Sequence, residues 1–168
     1  MLSREKIMVF IDNNNLFHFF NEIGFKCDYN KLKEVIRQSR FLEKIILFTG
    51  LTYPVSPGKK YWLERLKSFG YEIKTRFLQI SPNGRMKEKR IDVLMAIEII
   101  KSIFEEDYYT AIIVSGDGDF LPVIKELKRY KKKVEVWSPK DSLAHIIRDE
   151  LGDLNCNLID DVLDKIKL

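Results

Sequence analysis

Four aspartates lie where carboxylates could take part in catalysis. Asp117 and Asp119 are two residues apart in the turn Ser115-Gly-Asp-Gly-Asp119, Asp12 follows the first apolar run, and Asp92 follows a basic stretch. Neighbouring carboxylates repel each other, so hydrogen bonds, a basic group or a divalent cation should offset the repulsion. Converging carboxylates without His or Cys suit hard cations such as Mg²⁺ or Mn²⁺. Such ions activate water and stabilise the departing oxygen in phosphodiester cleavage.

Each acidic residue also has a purely structural interpretation. Asp12 precedes three asparagines and can cap the helix that begins there. Asp92 falls in the first turn of a predicted helix, where a negative charge contributes about 0.3–1 kcal/mol. Glu98 lies later in that helix among apolar residues, so it must reach solvent or a partner. The residues alone leave both interpretations open.

Apolar runs alternate with helical patterns along the chain. Strands are predicted at 7–11, 44–48, 71–78, 111–114, 134–137 and, as a short edge strand, 154–159. Helices are predicted at 14–24, 29–40, 59–69, 91–106, 120–130 and 141–151, with a short helical tail at 160–168. This alternation predicts an α/β fold, a three-layer α/β/α sandwich with a mainly parallel central sheet.

The predicted sheet brings the acidic residues to one edge. The carboxyl ends of parallel strands meet on the same side of a sheet, where such sheets bind their ligands. Asp12, Thr49, Asp117 and Asp119 all follow predicted strands. We therefore expect them to share that edge, with the helix of Asp92 docked above them.

Length and composition are those of an ordinary globular chain. The 168 residues, 45% hydrophobic and 32% charged, suit one domain over 1–168, with a motif-bearing core at about 6–139 and a C-terminal extension at 140–168. The net charge of +4 permits nucleic-acid binding without demanding it. Cys27 and Cys156 are too few for a disulfide framework or a zinc site.

The sequence predicts a cytoplasmic protein. The first apolar run is broken by Asp12 too early for a signal peptide, and no apolar run approaches the length of a membrane span.

The most basic segment lies directly before Asp92. It contains Arg85, Lys87, Lys89 and Arg90, and we expect phosphate contacts from it to position a nucleic-acid strand beside the acids. A solvated surface run is the structural alternative.

The helix predicted at 59–69 carries features that we interpret as structural. Lys59 and Lys60 could extend the basic track that contacts phosphates, but they are expected to be solvated surface cations. The helix is expected to turn a stripe of four residues toward the core, Trp62, Leu63, Leu66 and Phe69, and we favour this over a base-stacking role for Trp62.

Several common site types lack their motifs. No Gly-x-Gly-x-x-Gly follows the first strand and no Gly-x4-Gly-Lys-Ser/Thr occurs, so the phosphate-binding glycines of dinucleotide and P-loop sites are missing. A receiver-like phosphotransfer domain also clusters aspartates. Its late lysine would have to be Lys140, which is a poor candidate because no matching motif surrounds it.

Three segments resemble motifs of the NYN (LabA-like) family of PIN-like ribonuclease domains. Residues 10–16 read Phe-Ile-Asp-Asn-Asn-Asn-Leu, similar to the family's Phe-Ile-Asp-Gly-x-Asn-Leu. Residues 89–93 read Lys-Arg-Ile-Asp-Val, similar to Lys-x-Val-Asp-Val, and residues 115–120 read Ser-Gly-Asp-Gly-Asp-Phe, similar to Ser-Gly-Asp-x-Asp-Phe. The order and spacing of the motifs agree from about 6 to 139.

This resemblance implies a PIN-like fold and metal-dependent RNA cleavage, expected to be endonucleolytic. It assigns metal binding and catalysis to Asp12, Asp92, Asp117 and Asp119, further metal binding to Glu98, and hydrogen-bonded support of the site to Asn15 and Ser115. The implied cofactor is Mg²⁺ or Mn²⁺, and the implied partner is single-stranded or structured RNA.

One position departs from the family pattern. Asn13 stands where the family has glycine. Asparagine tolerates left-handed backbone angles, so the turn is expected to survive, while the side chain is expected to narrow the approach to Asp12. The alternative function is therefore a catalytically weak or inactive module that binds RNA or a protein partner. A homodimer is also considered, because the loop at 53–58 and the C-terminal tail have no evident intramolecular task.

Overall fold

The computed structural model describes residues 5–79, 82–83 and 89–168, and it contains a six-stranded sheet in which every strand pairing is parallel. The strands are β1 (Lys6–Asp12), β2 (Phe41–Leu51), β3 (Glu72–Phe77), β4 (Thr110–Val114), β5 (Lys133–Ser138) and β6 (Cys156–Leu158). Their order across the sheet is β3-β2-β1-β4-β5-β6. The predicted α/β class and parallel sheet are confirmed.

Helices cover both faces of the sheet. They are α1 (Asn13–Glu22), α2 (Tyr29–Arg37), α3 (Pro57–Ser68), α4 (Lys89–Glu105), α5 (Leu121–Arg129), α6 (His145–Leu151) and α7 (Leu163–Ile166). Short 3₁₀ turns occur at Gly118–Phe120, Lys140–Ser142, Asp153–Asn155 and Ile159–Val162. Buried residues of α1, α2, α3 and α7 pack on one face, and those of α4, α5 and α6 pack on the other. Within the described ranges, no helix is both long enough and apolar enough to cross a membrane.

Strand β1 lies at the centre of the sheet and is buried on both faces. Ile7, Val9 and Ile11 pack under the α1–α2–α3 layer. Met8 and Phe10 pack under the α4–α5–α6 layer. This explains the uninterrupted apolar run in the sequence, because a strand covered on both faces has no side exposed to water.

The chain changes direction across the sheet between β1 and β4. From β1 it builds outward to β2 and β3, and then it crosses back to β4, β5 and β6 on the other side. Adjacent strands whose connections lead to opposite sides leave a crevice at their carboxyl ends, and ligands of open α/β sheets bind in that crevice.

Two predicted helices are shorter in the structure. The helix predicted at 29–40 ends at Arg37, because Gln38 and Ser39 both have positive φ. The helix predicted at 141–151 begins at His145. There the backbone N–H of Ala144 donates to the carbonyl of Gly116, so the preceding residues pack against the loop after β4 instead of continuing the helix.

The C-terminal tail packs against the body of the protein. Ile166 is fully buried, and its carbonyl accepts a 2.8 Å hydrogen bond from the Asp28 backbone N–H. The Leu168 backbone N–H donates to Lys26 at 3.0 Å. The expectation that the tail lacks an intramolecular task is wrong, so the tail gives no support to a homodimer.

Candidate active site at the carboxyl edge of the sheet

Asp12 and Ser115 connect the ends of the two strands that flank the crevice. Asp12 ends β1, is 4% exposed, and continues the face on which Met8 and Phe10 point toward α4. Ser115 directly follows β4 and is fully buried. Its Oγ donates a 3.0 Å hydrogen bond to Asp12 Oδ2.

The same carboxylate also caps α1. Asp12 Oδ1 lies 3.4 Å from the backbone nitrogen of Asn15 and accepts its hydrogen bond. The structural interpretation of Asp12 is therefore correct, and it leaves the second oxygen directed at Ser115. Asn15 Oδ1 is a buried acceptor that finds no donor among the described residues. Such an atom costs about 1–3 kcal/mol unless solvent or a ligand satisfies it.

The acidic loop after β4 is held by its own hydrogen bonds. Ser115 Oγ accepts from the Asp117 backbone N–H at 3.2 Å. Asp117 Oδ1 accepts from the Asp119 backbone N–H at 2.9 Å and caps the 3₁₀ turn. One backbone donor, the Asp119 N–H, thus holds the Asp117 carboxylate in place within the loop.

Gly116 lets this loop approach the end of β5. A Cβ atom at this position would lie 2.3 Å from both Ser138 Oγ and the Ser142 carbonyl oxygen. Any larger residue would push the loop away from β5, and Asp117 with its hydrogen bonds to Ser115 and Asp119 would move with it.

Asp92 and Asp119 face one cavity of about 250 Å³, which Val93, Ala96 and Phe120 complete. Asp92 is partly buried in the first turn of α4, and Asp119 is exposed. Both lie in the helical layer on the side of the sheet toward which Asp12 points. The fold therefore places Asp92 and Asp119 at one cavity, and Asp12 points to the same side of the sheet.

The chemistry of these donors suits Mg²⁺ or Mn²⁺, because all of them are carboxylate oxygens. Across the part of the chain that the structure describes, no group of three His, Cys, Asp or Glu residues is close enough to hold an ion. The donor types fit a hard cation, while the side chains as placed do not form a closed ligand set.

Glu98 is not brought to this cavity. It lies almost two turns after Asp92 on a different side of α4, and its carboxylate is 3.7 Å from Lys101 Nζ. The acid thus has the partner that its apolar surroundings require.

Only part of the predicted basic segment lies within the described residues. Arg85 and Lys87 lie outside the described residues, as does the side chain of Lys89. Arg90 is exposed in the first turn of α4, two residues before Asp92.

Asn13 corrects two expectations. It is an ordinary residue of α1 without a left-handed backbone, and its side chain is 2% exposed. Its Oδ1 accepts a 2.8 Å hydrogen bond from Tyr29 Oη, and its Nδ2 lies 3.5 Å from Thr49 Oγ1. Because these partners hold the side chain on the α2 side of the sheet, Asn13 does not narrow the approach to Asp12 from the α4 side.

Lys59 is not the solvated surface cation that was expected. Its Nζ donates to Thr49 Oγ1 at 3.3 Å and lies 4.4 Å from the centre of the Trp62 ring. Burial lowers the pKa of Lys59 below its ordinary value. The spacing of three residues between Lys59 and Trp62 on a helix could have indicated the contact. Lys60 is exposed as expected.

Trp62 meets its structural expectation in large part, because Trp62 and Phe69 are partly buried and pack against the core cluster that contains Leu66. Of the predicted core stripe on α3, only Leu66 is fully buried. Trp62 is partly exposed, and its ring makes an edge contact with Tyr29 at a centroid distance of 5.5 Å.

Comparisons with known proteins agree with the motifs. Residues 6–151 match the family model of the NYN domain. The Low amplitude and bright protein LabA of Synechococcus elongatus is 25% identical over 160 residues, which covers 89% of this chain and 84% of that protein. The crystal structure of VPA0982, a protein of unknown function from Vibrio parahaemolyticus, matches with a TM-score of 0.81 at 24% identity, over 100% of this chain and 99% of that one. At this identity the structural likeness shows the fold alone.

Proposed function

Since the chain belongs to the NYN domain family of PIN-like nucleases, we propose that it is a divalent-metal-dependent ribonuclease that hydrolyses RNA phosphodiester bonds. One observation carries the proposal. The Asp12–Ser115–Asp117 hydrogen bonds join the ends of β1 and β4, and Asp119, whose backbone N–H bonds to Asp117, lines one cavity with Asp92.

In this proposal the four aspartates, Asp12, Asp92, Asp117 and Asp119, hold Mg²⁺ or Mn²⁺. When bound, the ion supplies an activated water and charge stabilisation for the leaving oxygen. Ser115 orients the Asp12 carboxylate through its hydroxyl proton, and the Asp119 backbone N–H orients the carboxylate of Asp117. Fixing these carboxylates before substrate arrives reduces the reorganisation that the reaction requires.

We also propose that the basic segment before Asp92 contacts the RNA backbone. Arg90 is exposed and lies within one helical turn of Asp92. The other cations of the segment precede it in sequence, at Arg85, Lys87 and Lys89. Contacts to phosphate oxygens would fix the register of the strand without reading its sequence.

The decisive experiment is cleavage of a labelled single-stranded RNA in Mg²⁺, Mn²⁺ or EDTA. The wild type is compared with Asp117→Asn and with the control Asp164→Asn, which changes an exposed aspartate on α7. We expect cleavage that requires metal, persists in Asp164→Asn and is lost in Asp117→Asn. Equal cleavage by wild type and Asp117→Asn would refute the assignment.

The endonuclease mode requires a separate substrate. A circular single-stranded RNA has no ends, so an exonuclease cannot begin on it. We expect the protein to linearise it in Mn²⁺ or Mg²⁺. If the protein degrades a linear RNA but leaves the circular RNA intact, its cleavage is not endonucleolytic.

A second candidate is a catalytically weak or inactive module that binds RNA or a protein partner. It is favoured by the lack of a three-ligand group in the described ranges. RNA binding without cleavage in either metal at micromolar protein would support this module, whereas cleavage that a chelator abolishes would exclude it. A cytoplasmic location and a homodimer stay predictions.

A further inference from the structure

A cavity of about 510 Å³ lies between α1, α2 and the start of α3. Five aromatic side chains contribute to its wall, and together they define the aromatic groove: Phe17, Phe20, Phe25, Tyr29 and Trp62. Its volume lies within the range of sites that enclose small organic groups. The groove is on the opposite side of the sheet from the cavity of Asp92 and Asp119.

The charge of the groove suits a phosphate-bearing ligand. Lys26 and Lys59 line it, and the described residues of its wall include no acidic side chain. Lys59 Nζ is held between Thr49 Oγ1 and the Trp62 ring, so the cation is fixed at the groove rather than extended into solvent.

The groove begins next to Asp12 in the chain, across the sheet edge from the cavity of Asp92 and Asp119. Asn13 lines the groove and directly follows Asp12, so the two positions are separated by about 3.8 Å along the backbone. Hydrogen bonds from Tyr29 and to Thr49 fix the Asn13 side chain as part of the wall. A strand whose phosphate lies at Asp12 has to cross this edge of the sheet for a neighbouring base to enter the groove.

We propose that the aromatic groove binds an unpaired nucleobase of the RNA substrate, with Lys59 contacting the adjacent phosphate. The inference rests on the proposed function and narrows its substrate to single-stranded RNA. Aromatic side chains bind unstacked bases of any sequence, whereas a base inside a duplex is paired and stacked and does not enter such a groove.

Phe17 and Lys59 are the residues to change. Phe17 is 52% exposed, so Phe17→Ala removes aromatic surface with little loss of core packing. Its matched control is Phe104→Ala, which alters a 66% exposed phenylalanine of α4 on the other layer. Lys59→Gln is paired with Lys60→Gln, which removes the same charge from the next, exposed residue.

Binding is measured by fluorescence anisotropy with a 5′-labelled ten-nucleotide oligouridylate in EDTA, after thermal unfolding has shown that each variant is folded. Phe17→Ala and Lys59→Gln are expected to weaken binding about tenfold. The two controls should stay within about twofold of wild type. A duplex RNA of equal length should bind Phe17→Ala and wild type alike.

A second measurement uses only the wild-type protein. One base of the oligonucleotide at a time is replaced by an abasic residue. Affinity should fall mainly at one position, since a single groove takes a single base. A uniform small loss along the strand would overturn the inference, as would Phe17→Ala binding RNA as tightly as Phe104→Ala does.

Because EDTA separates binding from cleavage, the two proposals fail independently. Metal-dependent cleavage with unchanged affinity in Phe17→Ala and Lys59→Gln refutes the groove alone. Absence of cleavage together with a tenfold loss of affinity in those variants refutes the nuclease and retains the groove as a site for single-stranded RNA.

Discussion

Ser115 Oγ donates a 3.0 Å hydrogen bond to Asp12 Oδ2 across 103 residues of sequence. Both side chains are buried where β1 and β4 end. A buried carboxylate is costly without donors, so this hydroxyl stabilises the Asp12 charge and fixes its direction. The contact also joins the motif at residues 10–16 to the motif at residues 115–120, which the sequence alone could place together only by inference.

Replacing Ser115 with alanine should affect both stability and cleavage. The Asp12 carboxylate loses a buried donor, and we expect a loss of about 1–3 kcal/mol in the free energy of unfolding. Cleavage should fall as well, because the carboxylate is no longer oriented. Ser102→Ala is the control, since Ser102 is also buried and bonds to Tyr108 Oη and the Ile99 carbonyl away from the site. Denaturant unfolding and RNA cleavage are compared. Equal cleavage by the two variants would argue against orientation by Ser115.

Replacing Asn13 with glycine, the residue that the family pattern has there, should raise neither the stability of the protein nor its rate of RNA cleavage. Asn13→Gly leaves the buried Tyr29 hydroxyl without its acceptor, which costs about 1–3 kcal/mol. Asn13→Ala serves as the comparison, because it removes the same hydrogen bonds without the added cost of glycine in a helix, about 1 kcal/mol. Thermal unfolding and cleavage rates check both variants. Faster cleavage by Asn13→Gly would show that the asparagine does hinder the approach to Asp12.

Arg40, just before β2, and Glu135, in β5, form a nearly buried ion pair. Arg40 Nη1 lies 2.7 Å from Oε1, and Nη2 lies 3.1 Å from Oε2. Arg40→Ala removes two hydrogen bonds from the buried Glu135 carboxylate and leaves it Lys133 Nζ at 3.6 Å, so the free energy of unfolding should fall by about 3 kcal/mol. Lys67→Ala, which breaks the exposed pair with Glu64, should cost under about 1 kcal/mol. Guanidinium-induced unfolding of Arg40→Ala and Lys67→Ala compares the two losses in the free energy of unfolding. The double change Arg40→Met with Glu135→Leu is expected to recover most of the loss.

Cys27 gives stability a dependence on alkaline pH. Burial raises the pKa of the Cys27 thiol to about 12, from an ordinary value of 9.0. The folded protein therefore holds this proton more tightly than the unfolded chain does. This stabilising contribution is full below pH 9 and is lost as the pH rises toward 12. In Cys156→Ser protein, the rate of alkylation by iodoacetamide should still be rising above pH 10. A plateau near pH 9 would contradict the raised pKa.

Several features of the fold could be predicted from local pattern. Buried strands such as β1 and β4 are continuous apolar runs because both of their faces are covered. Their parallel arrangement followed from the helices between them, and it placed Asp12 and the Ser115 loop at one edge. The predicted start of α6 was wrong because Ala144, just before the helix, donates a backbone hydrogen bond to Gly116. No local sequence pattern reports such a contact. The roles of the aspartates as metal ligands stay predictions.

The amino-acid sequence by itself determined the strand and helix types, the parallel sheet and the edge at which the acids collect. It did so because hydrophobic periodicity and turn residues act over a few neighbouring positions. Only the tertiary structure decided that Asn13 turns toward Tyr29, that Lys59 reaches Thr49, and that Glu98 pairs with Lys101. Those outcomes depend on which side chains packing brings within hydrogen-bonding distance, and that is set by the whole fold.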